Sequence, residues 1–100
     1  MAVQLETNYL DDLRRIVQDC VDTSIWRPVI FGSRANGKAW RFSDVDLGFI
    51  GNRPLPEAAK IKLSEALDDS DIPYNVDVVD ISQTTPEFQK VAKQYMVELV

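Results

Sequence analysis

Apolar residues recur every three or four positions at Leu5, Tyr9, Leu13, Ile16, Val17, Cys20 and Val21. Asp11, Asp12, Arg14, Arg15, Gln18 and Asp19 fill the opposite side. This spacing predicts an amphipathic helix over residues 6–21, its apolar stripe turned to a core. The period then changes. Val29–Phe31 and Asp44–Ile50 are short apolar runs, and Tyr74–Asp80 alternates, so each reads as a strand. Pro28 belongs at the start of the first strand, because proline donates nothing to a ladder. Trp26, in the connector before it, is expected to cap one end of the core. Helical spacing returns at Leu55, Ala59, Leu63, Ala66 and Leu67, behind Pro54 and Pro56. The run Asp68-Asp69-Ser70-Asp71 ends that helix as solvated surface, since acidic groups oppose a helix C-terminus.

A strand–helix–strand unit from 44 to 80 calls for a right-handed crossover and parallel pairing of its two strands. Thr84-Thr85-Pro86-Glu87 reads as another helix start, with Thr85 as N-cap and Pro86 in the first turn. Phe88, Val91, Ala92, Tyr95, Met96 and Leu99 carry helical spacing onward to the chain end. Exposure of Tyr95, Met96 or Leu99 would mark an oligomer surface. With a short helix or turn between Gly32 and Gly37, the order is α-β-α-β-α-β-α. The fold class is α/β (α+β), a small mixed three-stranded sheet flanked by about four helices.

Composition narrows the chemistry. A chain of 100 residues is expected to form one domain, spanning 1–100, with a modest core. Its net charge of −5, sixteen acidic against eleven basic residues, argues against a broad nucleic-acid face. No apolar run approaches a membrane span and no signal peptide opens the chain, so a cytoplasmic location is the default. Histidine is absent, which removes a histidine base, a histidine metal ligand and the usual serine-hydrolase triad. Cys20 is the sole cysteine, so no intramolecular disulfide forms, and its place on the apolar side of the first helix assigns it to packing.

The chemistry concentrates in residues 30–50. The first strand runs into Gly32-Ser33, where glycine lets the backbone turn and approach a ligand closely. The residues after it can open a short helix whose free N–H groups favour an anion, and the Ser33 hydroxyl adds a further donor. Arg34, Lys38 and Arg41 make the loop locally basic. Trp40 and Phe42 are expected to pack beneath the loop rather than against a nucleotide base. Asp44 and Asp46 follow at the start of the second strand. Residues two apart on a strand share a face, so these carboxylates project together while Val45, Leu47 and Phe49 enter the opposite layer. Two adjacent carboxylates repel unless a cation sits between them. Magnesium, held by one or two carboxylates, substrate phosphates and water, meets that need. Parallel pairing of the second and third strands brings Asp77 beside the pair, which explains a carboxylate in the middle of an apolar strand. Asp80, at the strand end, reads as a turn or capping residue. Taken singly, Gly-Ser is an ordinary turn and Asp-Val-Asp ordinary surface; it is their order, strand, Gly-Ser, spacer, Asp-x-Asp, strand, that points to phosphate chemistry.

Gly32-Ser33-Arg34-Ala35-x-Gly37 followed by Ser43-Asp44-x-Asp46-Leu47 resembles the signature of the DNA polymerase beta-like nucleotidyltransferases. It is most similar to the minimal nucleotidyltransferases encoded beside HEPN-domain proteins, and the resemblance covers essentially the whole chain. The resemblance implies a nucleotidyltransferase fold and transfer of AMP from ATP to a hydroxyl. Gly32 and Ser33 would bind the nucleotide phosphates. Asp44, Asp46 and Asp77 would be the catalytic acids and would hold Mg2+, in a two-metal site with Asp77 as candidate general base. It further implies a HEPN-domain toxin as partner in a hetero-oligomer, adenylylated on tyrosine, with this chain as antitoxin and no direct nucleic-acid ligand. The alternative is a non-catalytic antitoxin that masks its partner by binding. The length disfavours an aminoglycoside-type enzyme.

Overall fold

The computed structural model describes residues 3–40 and 43–100, and the periodicities sort these into two helices beneath a sheet and two short helical segments beside it. Helix α1, Thr7–Cys20, follows the predicted stripe, with Leu13 and Val17 fully buried. Strand β1, Arg27–Phe31, begins two residues earlier than the apolar run. Helix α2 is four residues, Ser33–Asn36. Strand β2, Val45–Ile50, and helix α3, Glu57–Asp68, lead to strand β3, Val76–Asp80. A 3-10 turn at Ile81–Gln83 precedes helix α4, Pro86–Ala92, where the Thr85 hydroxyl accepts from Phe88 N–H as the cap and Pro86 stands in the first turn.

The sheet has four strands in the order β3-β2-β1-β4, against the three expected. The extra strand, β4, is Val97–Glu98, antiparallel to Val29–Ile30. It lies where the spacing predicts continued helix. The helix instead stops at Ala92 because β1 would otherwise present an unpaired row of N–H and C=O groups. Leu99 N–H reaches the Pro28 carbonyl at 2.9 Å, and Arg14 Nε donates to the Leu99 carbonyl at 2.7 Å. Pro28 therefore sits inside a central strand with its acceptor used and its missing donor immaterial. Leu99 is buried and Met96 half-buried, which leaves Tyr95, 46% exposed, as the one residue of that trio open to solvent.

Strands β1 and β2 pair antiparallel with Phe31 opposite Asp46. Strands β2 and β3 pair in parallel with Asp46 opposite Asp77, as the crossover requires. Side-chain alternation splits the core. On one face Val45, Leu47 and Phe49 meet Leu13, Val17 and Leu63 from α1 and α3. On the other, Val29 and Phe31 pack with Ile81 and Ala92 under α4. Trp26 closes an end of the first layer, its indole N–H donating to the Arg53 carbonyl at 2.9 Å. Cys20 packs at the margin of that layer, where burial raises its thiol pKa. Trp40 does not pack beneath the loop; it is 83% exposed. Arg41 and Phe42 lie outside the described residues. Among the described residues no helix is long and apolar enough to cross a membrane.

Candidate active site

The site forms where β1 ends and where β2 and β3 begin. The register places Phe31, Asp46 and Asp77 side by side on one face of three adjacent strands. Asp44 lies just ahead of β2, exposed, and Asp77 is exposed on its strand. Asp46 is half-buried. Its carboxyl pKa is raised, first by burial and then by the negative charges of Asp77 and Asp44. The expected three carboxylates are thus close enough for their fields to overlap, with the repulsion focused on the central one.

Gly32 makes the turn between β1 and α2 with φ +72° and ψ −151°, a conformation open to glycine alone among ordinary residues. An added Cβ at that position would run into Asp46 Oδ2 and come within 3.1 Å of its Cγ. The loop backbone is therefore laid directly against the central acid, which only a residue without a side chain allows. Ser33 opens α2, whose first N–H groups have no intrahelical acceptor. Gly37 ends α2 in the left-handed conformation, φ +82°, as its sequence position predicts. Asn36 Oδ1 accepts from Lys38 N–H at 3.0 Å and fixes the next turn. Gly32→Ala should keep helical content by circular dichroism yet weaken ATP binding at least tenfold by calorimetry. The strained backbone, about 1–3 kcal/mol, and the displaced Asp46 carboxylate act together there.

Arg34 does something the sequence does not show. Its side chain is buried, not presented to solvent as part of a basic loop. Nε and Nη2 both donate to the Ser43 carbonyl, at 3.0 and 2.7 Å, and Nη1 donates to the Gln4 carbonyl at 2.5 Å. The guanidinium lies 4.1 Å from the Tyr74 ring centroid, and the Tyr74 hydroxyl donates to Glu6 at 2.7 Å. That hydrogen bond lowers the Glu6 carboxyl pKa. Arg34 thus joins the Gly32-Ser33 loop to the residue before Asp44 and to the approach to β3. In a Gly-Ser loop an arginine looks like a phosphate ligand, so nothing in the spacing could have revealed this. Asp80 acts as an anchor, Oδ2 accepting from Leu55 N–H at 2.8 Å, while Oδ1 is enclosed without a partner. It faces the layer of Val76 and Val78, away from Asp77.

The donor set suits a hard divalent cation. It is all carboxylate oxygen, and it carries repulsion that a cation would relieve. Among the described residues no group of three or more histidine, cysteine, aspartate or glutamate side chains is arranged so that by itself it could hold a metal ion.

Residues 9–99 match the family of Polymerase beta nucleotidyltransferases, and the chain belongs to that family. It is a nucleotidyltransferase. Among curated proteins it is 34% identical over 96 residues to the Probable protein adenylyltransferase MntA of Haemophilus influenzae, covering 95% of this chain and 82% of that protein. Two solved structures share the fold. A crystal structure of a toxin–antitoxin with AMP-PNP gives a TM-score of 0.72 at 21% identity, over 91% of this chain and 72% of that one. A crystal structure of the toxin–antitoxin MntA-HpeT, in a mutant with two aspartates two positions apart replaced by glutamate, gives 0.71 at 19%, over the same shares.

Proposed function

We propose that this chain is a protein adenylyltransferase that moves AMP from ATP to a hydroxyl on a partner toxin, and so serves as an antitoxin. The observation that carries the reading is the register that sets Asp77 opposite Asp46, with Asp44 two residues before it. The adenylyltransferase relative and the AMP-PNP-bound toxin–antitoxin of the same fold support the choice of ATP and of a protein acceptor. A HEPN-domain partner and tyrosine as the modified residue are what the motif resemblance implies.

Asp44, Asp46 and Asp77 would hold two magnesium ions, which when bound neutralise the triphosphate and stabilise the attacking and leaving oxygens of an in-line displacement. Gly32 and Ser33 hold the terminal phosphates through backbone N–H groups and the hydroxyl. Asp77 accepts the proton of the attacking hydroxyl. The acceptor oxygen then bonds to the α-phosphorus as the bond from that phosphorus to the bridging oxygen of the β-phosphate breaks. Pyrophosphate leaves, and AMP remains esterified to the acceptor.

The test is incubation with the co-encoded neighbour, magnesium and ATP, followed by intact mass measurement. The expected result is a gain of one or more AMP units on the neighbour, absent with Asp44→Ala. A stable complex with unchanged masses would replace this reading with a masking antitoxin.

A further inference from the structure

Strand β3 is an edge: in the order β3-β2-β1-β4 nothing among the described residues pairs with its outer side. Peptide groups alternate in direction along a strand, and the Asn75 carbonyl accepts from Val45 N–H at 2.9 Å. Asn75, Asp77 and Val79 therefore turn their peptide groups to β2, and Val76 and Val78 turn theirs outward. Side chains alternate as well. Asp77 stands on the face of Asp46, whereas Val76, Val78 and Asp80 face α3. Between β3 and α3 lies a groove of about 420 Å³, with Lys60, Ser64, Asp68, Val76, Val78 and Asp80 among its walls. The groove is acidic: Asp68 and Asp80 outnumber Lys60, and Lys60 pairs with Glu57 at 3.8 Å. Asp80 Oδ1 has no donor among the described residues.

We infer that the outer edge of β3 is the docking strand for the acceptor segment of the partner protein, which joins the four-stranded sheet as a further strand. The inference rests on the adenylyltransferase reading above. Free N–H and C=O groups along an edge pair with an extended chain, and a groove beside them selects its side chains. Register then places each side chain. A residue opposite Asp77 lies on the site face, one strand spacing of about 4.8 Å from β3, and its hydroxyl emerges beside Asp77. Its two neighbours turn into the groove against Val76 and Val78, where apolar side chains fit. The residue opposite Asp80, three positions from the hydroxyl, supplies the missing donor when it is basic. The occupant is thus an extended segment with a hydroxyl residue between apolar ones and a lysine or arginine three positions away. A second copy of this chain fits less well, since its own β3 would bring another Asp77 and Asp80 to an edge already acidic.

Amide hydrogen exchange, read by NMR on the labelled chain alone and with a saturating amount of its unlabelled co-encoded neighbour, tests the edge directly. In the free chain Val76 and Val78 should exchange fast, and Asp77 and Val79 slowly. In the complex Val76 and Val78 should slow by about tenfold or more, while Asp77 and Val79 change little. Unchanged exchange at Val76 and Val78 in the complex would overturn the assignment. Protection of these two amides in the chain alone, growing with its concentration, would overturn it in favour of a second copy. Two variants test the groove: Ser64→Trp fills it from an exposed position of α3, and Asp68→Lys reverses the charge of its wall. Each should raise the KM for the neighbour by about tenfold and leave the calorimetric affinity for ATP with magnesium unchanged. An unaltered KM in both variants, or a matching loss of ATP affinity, would refute the docking strand. If the parent chain binds ATP yet leaves the neighbour unmodified, the adenylyltransferase reading fails first, and the acceptor assignment falls with it.

Discussion

Asp46→Asn should abolish nucleotidyl transfer, by roughly 10³-fold or more, while raising the melting temperature of the metal-free protein. The two effects have one origin. Asp46 is the half-buried member of the acidic row, and burial together with the charges of Asp77 and Asp44 raises its pKa. A carboxyl whose folded pKa lies above its unfolded value binds its proton more tightly in the native state. Stability therefore falls as pH rises from the unfolded Asp value through the raised folded one, and at neutral pH the charge opposes folding. Asparagine keeps the shape and removes that charge. It also removes the central oxygen ligand, so added magnesium should raise the melting temperature of the native protein and leave the variant's unmoved. Differential scanning calorimetry with and without magnesium, beside a labelled-ATP transfer assay, reads both halves. A variant that is less stable than the parent, or that still transfers nucleotide, would refute the assignment.

Arg34→Ala should cost about 3–5 kcal/mol of folding stability, a large part of the 5–15 kcal/mol a small domain has. Removing the guanidinium leaves the Ser43 and Gln4 carbonyls without their charged donor and uncovers the Tyr74 ring. Arg34→Lys should recover little of this. A single ammonium cannot present two parallel N–H groups to Ser43 and a third to Gln4 while stacking flat on tyrosine. Urea denaturation followed by circular dichroism measures both variants, and a lysine variant as stable as the parent would refute this account. Because Ser43 adjoins Asp44, the folded fraction of either variant should also lose activity, with the effect on kcat larger than on the affinity for tripolyphosphate.

The elements with strong periodicity were legible in the sequence. Leu13 and Val17 at helical spacing, and Val45, Leu47 and Phe49 at strand spacing, occupy the core positions the pattern requires. So was the pairing of Asp46 with Asp77, because a parallel crossover leaves few registers that keep both apolar faces inward. Three features were not legible. Tyr95, Met96 and Leu99 continue a helical spacing that suits a short turn and a strand equally, and only the open edge of β1 decides between them. Arg34 carries the same charge whether it faces a phosphate or a buried carbonyl, and burial cannot be read from a loop. Phe88 and Val91 read as core-facing because their spacing is right, yet Phe88 stays 39% and Val91 66% exposed.

The pairing of β4 with β1 also bears on how the chain is made. Residues 27–31 emerge from the ribosome long before residues 97–98, which are the outer neighbour of that strand in the finished sheet. Until residues 97–98 emerge, one side of β1 lacks this partner, and an uncovered row of peptide groups is a template for pairing with another nascent chain. Contacts between residues so far apart in sequence also form slowly. The arrival of residues 97–98 thus decides when the nascent sheet stops being adhesive, and the sheet is complete only once they have been made.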